Sequence, residues 1–209
     1  MNAFARQFLL PTPAGAYYAS AEAAEDRLRG FIRLLFAQPV TPAWHDEDDG
    51  FVQRLASVGW IQYLPEPRRA APAPLDAALP TLLAPLSASQ HALLADAHGF
   101  HLASTGFAPA AADELAALSA DLASLHARHQ RVIGQALRLY GSAWSIPDAA
   151  GHSQLGFWPL HVGSHRFVLV LGGVPHLNQP ALVDLVWLLH QRYGPLAEPL
   201  PAVSAALSG

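Results

Sequence analysis

Four prolines within ten residues, Pro65-Glu66-Pro67-Arg68-Arg69-Ala70-Ala71-Pro72-Ala73-Pro74, most constrain how this chain can fold. Proline lacks the backbone donor that a helix or a central strand requires, so the segment leans to extended polyproline geometry. It is therefore expected to separate an N-terminal part, residues 1–64, from a main domain over residues 75–194, with residues 195–209 as a tail. On that reading residues 75–194 fold without the preceding part.

The rest of the chain has the composition of a protein with a core. Of 209 residues, 52% are apolar and 13% are charged, against roughly 25% charged in ordinary globular chains. A chain of this length buries roughly 70% of its unfolded surface on folding. There is no cysteine, which excludes disulfides, thiolate zinc sites and thiol catalysis. All 12 basic residues are arginine, so no mechanism here uses a lysine Schiff base or a P-loop lysine. The same arginine and alanine bias is a mark of a GC-rich bacterial genome. A net charge of −4 gives no basic field for nucleic acid. The apolar runs at 167–173 and 182–189 fall short of the ~18 residues a membrane span needs, and Asp184 interrupts the second. Pro11 and Pro13 cut the run Phe8-Leu9-Leu10, which speaks against a signal peptide. A cytoplasmic location is expected.

In the N-terminal part, residues 1–18 show no period and read as an arm. Ser20 is placed to cap a helix over 21–37, on which Leu28, Phe31, Ile32 and Leu35 share a face. Asp49, ending the acidic run from Asp46, is placed to cap a second helix with Phe51, Val52, Leu55 and Val58. Residues 60–64 read as a strand. In the main domain, Leu75, Leu79, Leu82, Leu83 and Leu86 mark a short helix. Two runs around Ala97-His98-Gly99 read as a hairpin. A long helix follows Pro109, with Leu115, Leu118, Leu122, Leu125, His129 and Val132 at three- and four-residue spacing. Then come a strand near 142–146, a second hairpin turning at Gly163-Ser164-His165, and a last helix capped by Asn178 with Pro180 in its first turn.

The run Leu93-Leu94-Ala95-Asp96-Ala97-His98-Gly99-Phe100-His101-Leu102-Ala103-Ser104, the helix from about Ala110, and the strand Phe167-Val168-Leu169-Val170-Leu171 leading into a final amphipathic helix resemble the roadblock/LC7 family. The connection Gly172-Gly173-Val174-Pro175-His176 departs from that family's usual form. The resemblance implies an α+β fold over residues 75–194, an antiparallel five-stranded sheet flanked by helices; the small, mostly helical N-terminal extension read from the residues lies outside it. The resemblance also implies a noncatalytic homodimer that scaffolds or regulates a small Ras-like GTPase. The interface candidates are Leu115, Leu118, Leu122 and Leu125 on the long helix, and Trp158. Pro159 argues that the strand carrying Trp158 is an edge or a bulged strand.

Two other readings remain open. A PAS- or GAF-like sensor would hold a small ligand inside a sheet of this kind, with Trp144, Phe157, Trp158, Phe167 and Trp187 as core or cavity wall. A metal-dependent enzyme would use some of the 11 histidines. His98/His101, His126/His129 and His161/His165 are the pairs with ligand spacing, and His126 and His129, i and i+3 on a helix, are the best placed. No carboxylate set completes such a site locally, and neither Gly-x-Ser-x-Gly nor Walker A is present. No cofactor and no catalysis are expected.

Overall fold

A computed structural model describes residues 7–44, 50–71, 73–139 and 141–195. The acidic run 46–49, with Asp49 as a cap, and most of the tail lie outside the described residues. The fold is α+β and is built around a five-stranded antiparallel sheet in the order β5-β4-β8-β7-β6. Its strands are β4 (Ala92–Asp96), β5 (His101–Thr105), β6 (Trp144–Pro147), β7 (Ser153–Val162) and β8 (His165–Gly172). With helices α4 (Leu75–Leu83), α5 (Pro109–Gln130) and α6 (Pro180–Tyr193) they follow the order that the roadblock/LC7 resemblance implies.

Both hairpins form for local reasons. In the first, Asp96 Oδ1 accepts from the backbone N–H of His98 at 2.9 Å and of Phe100 at 3.0 Å. Gly99 takes the left-handed conformation at φ 87°. The β7–β8 turn places Gly163 at φ 56° and pairs Val162 with His165.

The sheet is covered on both faces, which explains why β4 and β8 are continuous apolar runs. Alternate residues point to opposite sides. Leu94, Leu169 and Leu171 enter the cluster beneath α4 and α6. Leu93, Ala95, Val168 and Val170 enter the cluster beneath α5.

The N-terminal part holds the expected second helix and the strand near 60–64, but the expected arm is itself a strand followed by a helix. The whole part forms β1 (Gln7–Pro11), α1 (Pro13–Ser20), α2 (Arg27–Ala37), β2 (Ala43–Trp44), α3 (Gly50–Ser57) and β3 (Ile61–Leu64), with a small sheet in the order β2-β1-β3. The helix expected over 21–37 is shorter, and Ser20 is not its cap. The Ser20 hydroxyl donates back to the Ala16 carbonyl at 2.8 Å, closing α1. Thr12 caps α1 by accepting from Gly15 N–H at 3.2 Å, with Pro13 at the first helical position. Asp26 caps α2 by accepting from Arg29 N–H at 2.8 Å. Gly15 lets α1 lie directly on the chain entering β3, because a Cβ there would stand 2.0 Å from the Trp60 carbonyl oxygen. Likewise Asn178 is not the cap of α6. Gln179 occupies that place without a side-chain bond, and Pro180 begins the helix.

The described residues of the proline segment form no helix, yet they run along packed surface. Arg69 bridges to Val40, and Arg68 O accepts from Thr41 N–H at 2.9 Å. Arg68 Nη2 donates to both carboxylate oxygens of Asp184 on α6 at 2.6 and 2.7 Å. Leu10, Ala16, Ala19, Ile32 and Phe36 share one buried cluster with Leu79, Leu160, Leu169 and Trp187. The Trp187 indole N–H donates to the Gln38 carbonyl at 2.8 Å. Independent folding of residues 75–194 therefore does not follow from this packing.

Candidate functional site

Helix α5 explains how one element serves two surfaces. Its sheet-facing positions are small: Ala112, Ala116 and Ser119 are buried. Small residues let the helix approach β4 and β8 closely. The leucines lie about a quarter of a turn away, because an α-helix has about 3.6 residues per turn and Leu115 and Leu118 sit one position from the buried Ala116 and Ser119. Leu115 and Leu122 are half-buried against the cluster of Leu93, Phe157, Val168 and Val170, as are Trp144 and Leu155. Leu118 is 39% exposed, Leu125 39% and Val132 48%. Leu118 and Leu125 lie seven residues apart, so together with Leu115 and Leu122 they form a seam of the coiled-coil type. The periodic leucines thus flank the sheet instead of covering it. Past Gln130 the helix widens, with Leu137 N–H bonded to Val132 O at 2.9 Å, and Arg138 at φ 55° ends it.

Beside this seam lies the sheet edge β6. It pairs with β7 from Ser153 to Phe157, and its other side meets no strand among the described residues. Ile146 on it is exposed.

Trp158 is not on this surface. It is buried in the cluster beneath α4 and α6, with its ring over Gly156, where a Cβ would lie 2.1 Å from the indole. The strand carrying it is interior at one end and one-sided at the other. Since β6 stops opposite Phe157, Pro159 has only β8 beside it, which is where a residue without a donor is tolerated.

The histidine pairs separate. His126 sets its ring edge-on to Trp144 at 6.2 Å, whereas His129 is exposed. His101 pairs through Nδ1 with Asp113 at 2.8 Å, and His98 is exposed. His165 stacks near Phe167 and Tyr193, whereas His161 faces a cleft. Among the described residues no three of His, Asp and Glu gather as a metal would require.

That cleft is a feature the sequence reading missed. It holds about 470 Å³ beneath the C-terminal half of α5, against residues 21–24 and the β7–β8 turn end of the sheet. His126, His161 and Arg166 line it. Burial, then the positive charges of Arg166, Arg33 and Arg29, push the His161 imidazole down to about 4.

A second histidine, His190 on α6, is buried against Phe36, with ring centroids 5.3 Å apart. Burial drives its imidazole down to about 4, while its hydrogen bond to Val186 O at 2.9 Å opposes the shift. This predicts acid lability with a definite sign. Below 6.5 the unfolded chain takes up a proton that the native chain refuses until about 4. The stability is fully present above that upper value and falls as pH drops toward the lower one. His190 alone contributes a loss of about 3 kcal/mol, with a smaller share from the better-solvated His161. Urea midpoints at about pH 7 and about pH 4.5 check this, and His190→Gln should narrow the gap between them.

No family model matches the chain, and no curated protein matches it. Among the described residues no helix is long and apolar enough to cross a membrane. Among solved structures the chain is similar to the crystal structure of a roadblock/LC7 domain from Streptomyces avermitilis, at a TM-score of 0.34 and 18% identity, covering 57% of this chain and 92% of that one.

Proposed function

We propose that this protein is a noncatalytic, cytoplasmic interaction module that pairs with a second copy of itself through α5 and the adjoining edge β6. The observation that carries this reading is the seam on α5. Leu118 and Leu125 are partly exposed seven residues apart beside half-buried Leu115 and Leu122, and Val132 carries the exposed row into the widened turn past Gln130. A twofold axis across such a helix sets its seam against the same seam of the second copy, residue i on j and j on i, so that each covers the other. The open side of β6 lies next to it, so the same axis extends the sheet between copies. The resemblance to the roadblock/LC7 family supports a small Ras-like GTPase as the partner of the resulting dimer.

Sedimentation at micromolar concentration tests the pairing. The wild type is expected to run as a dimer. The double variant Leu118→Glu, Leu125→Glu is expected to run as a folded monomer, because both changes fall on exposed positions. A monomeric wild type overturns the reading. Capture from the native cell with the full chain tests the partner. A GTPase retained by the wild type and lost with the monomeric variant is the expected outcome.

A further inference from the structure

Helix α5 reaches beyond the sheet it covers. In its first half the sheet-facing residues Ala112, Ala116 and Ser119 are buried. Further along the same face, Ala123 and Ala127 meet the cleft instead, since β6 ends opposite Phe157 and leaves the continuation of β7 uncovered there. The walls that result are small and apolar, with alanines on one side and Pro159 on the other.

The charge in this cleft is unbalanced. Arg29 is matched by Asp26 at 2.7 Å and Glu22 at 3.6 Å, and Arg33 is matched by Glu25. Arg166, opposite His161 across the β7–β8 pair, has no carboxylate partner among the described residues. Its Nη2 donates to the Ala97 carbonyl at 3.3 Å. Its Nε is buried with no hydrogen-bond partner. That nitrogen has no exposed surface, so a ligand in the cleft meets the guanidinium through its terminal nitrogens. His161, neutral at ordinary pH, adds a hydrogen-bonding group and no charge. Glu22, on the opposite wall, already belongs to Arg29.

From this we infer that the cleft beneath α5 is a binding site for a small monocarboxylate with a short apolar body, its carboxylate held by Arg166 and its body lying along Ala123, Ala127 and Pro159. One unmatched cation calls for one negative charge. A phosphate dianion would bring a second charge close to Glu22. The planar guanidinium suits a carboxylate, which accepts two parallel bonds from it. The volume lies within the range of about 300–1,000 Å³ found for small-molecule sites. This site is separate from the leucine seam, and it stands or falls independently of the dimer.

Calorimetric titration of the full chain with sodium butyrate, methyl butyrate and sodium phosphate tests it, at constant ionic strength. Butyrate is expected to bind saturably in the millimolar range, while the uncharged ester and phosphate do not. Arg166→Gln should weaken butyrate at least ~10-fold. Ala123→Phe, which fills the cleft and leaves Arg166 in place, should abolish binding with an unchanged circular dichroism spectrum. If Arg166→Gln fails to fold, the Ala123→Phe variant decides alone. Absence of saturable butyrate binding, equal binding of phosphate, or full binding by the folded Ala123→Phe variant overturns the proposal.

Discussion

Residues 75–194 expressed alone should lose the single cooperative unfolding transition of the full chain. The prolines at 65–74 keep helix out of the described part of the segment, but they do not end the core. Removing the N-terminal part uncovers the surface of α6 that α1 and α2 bury, and it removes Leu10, Ile32 and Phe36 from the shared cluster. Each apolar side chain of the fragment that loses its cover gives up part of the about 1.5–3 kcal/mol that full burial is worth, against a whole-domain stability of about 5–15 kcal/mol. The bond between Trp187 and Gln38 and the Arg68–Asp184 pair go as well. Thermal unfolding followed by circular dichroism checks this. A fragment that melts cooperatively near the temperature of the full chain would show that the shared cluster adds little.

Trp187→Ala is the point change with the largest expected cost, about 3–5 kcal/mol. The ring is 2% exposed and belongs to the cluster common to both parts of the chain. Truncation leaves a cavity and removes the indole N–H bond to the Gln38 carbonyl, which keeps the Gln191 Nε2 donor at 3.2 Å. Trp187→Phe keeps much of the packing but not the bond, so it should cost clearly less. Urea unfolding of both variants measures the difference. Equal losses for the two would mean that the hydrogen bond outweighs the packing.

These two experiments bear on how far the sequence could be read. The hairpins were legible because their signals are local: Asp96 and Gly99 in one turn, Gly163 in the other. The order of helices and strands over 75–193 follows from the same turn residues and from apolar runs. The N-terminal helix α1 was hidden because its buried face is Gly15, Ala16 and Ala19, which give no apolar period. The cap pair Thr12-Pro13 was the available signal. The leucine period on α5 located the helix but not its sheet-facing side, since alanines make the closer approach. The proline segment showed its local geometry and nothing of what packs against it. Arg166, His161 and the alanines of α5 meet only through the fold, across more than thirty residues of chain, so no local motif marks the cleft.

The central claim is that copies of this chain meet along α5. The protein has no cysteine, so a single introduced thiol reports on its own position. Leu125→Cys places that thiol in the middle of the exposed seam, and Asp76→Cys places one on α4, on the opposite face of the sheet. A disulfide requires Cα atoms within about 7 Å of each other. Under mild oxidation Leu125→Cys is predicted to convert to a covalent dimer while Asp76→Cys stays monomeric. Equal crosslinking of the two, or none at Leu125→Cys in a protein that sediments as a dimer, would contradict the account.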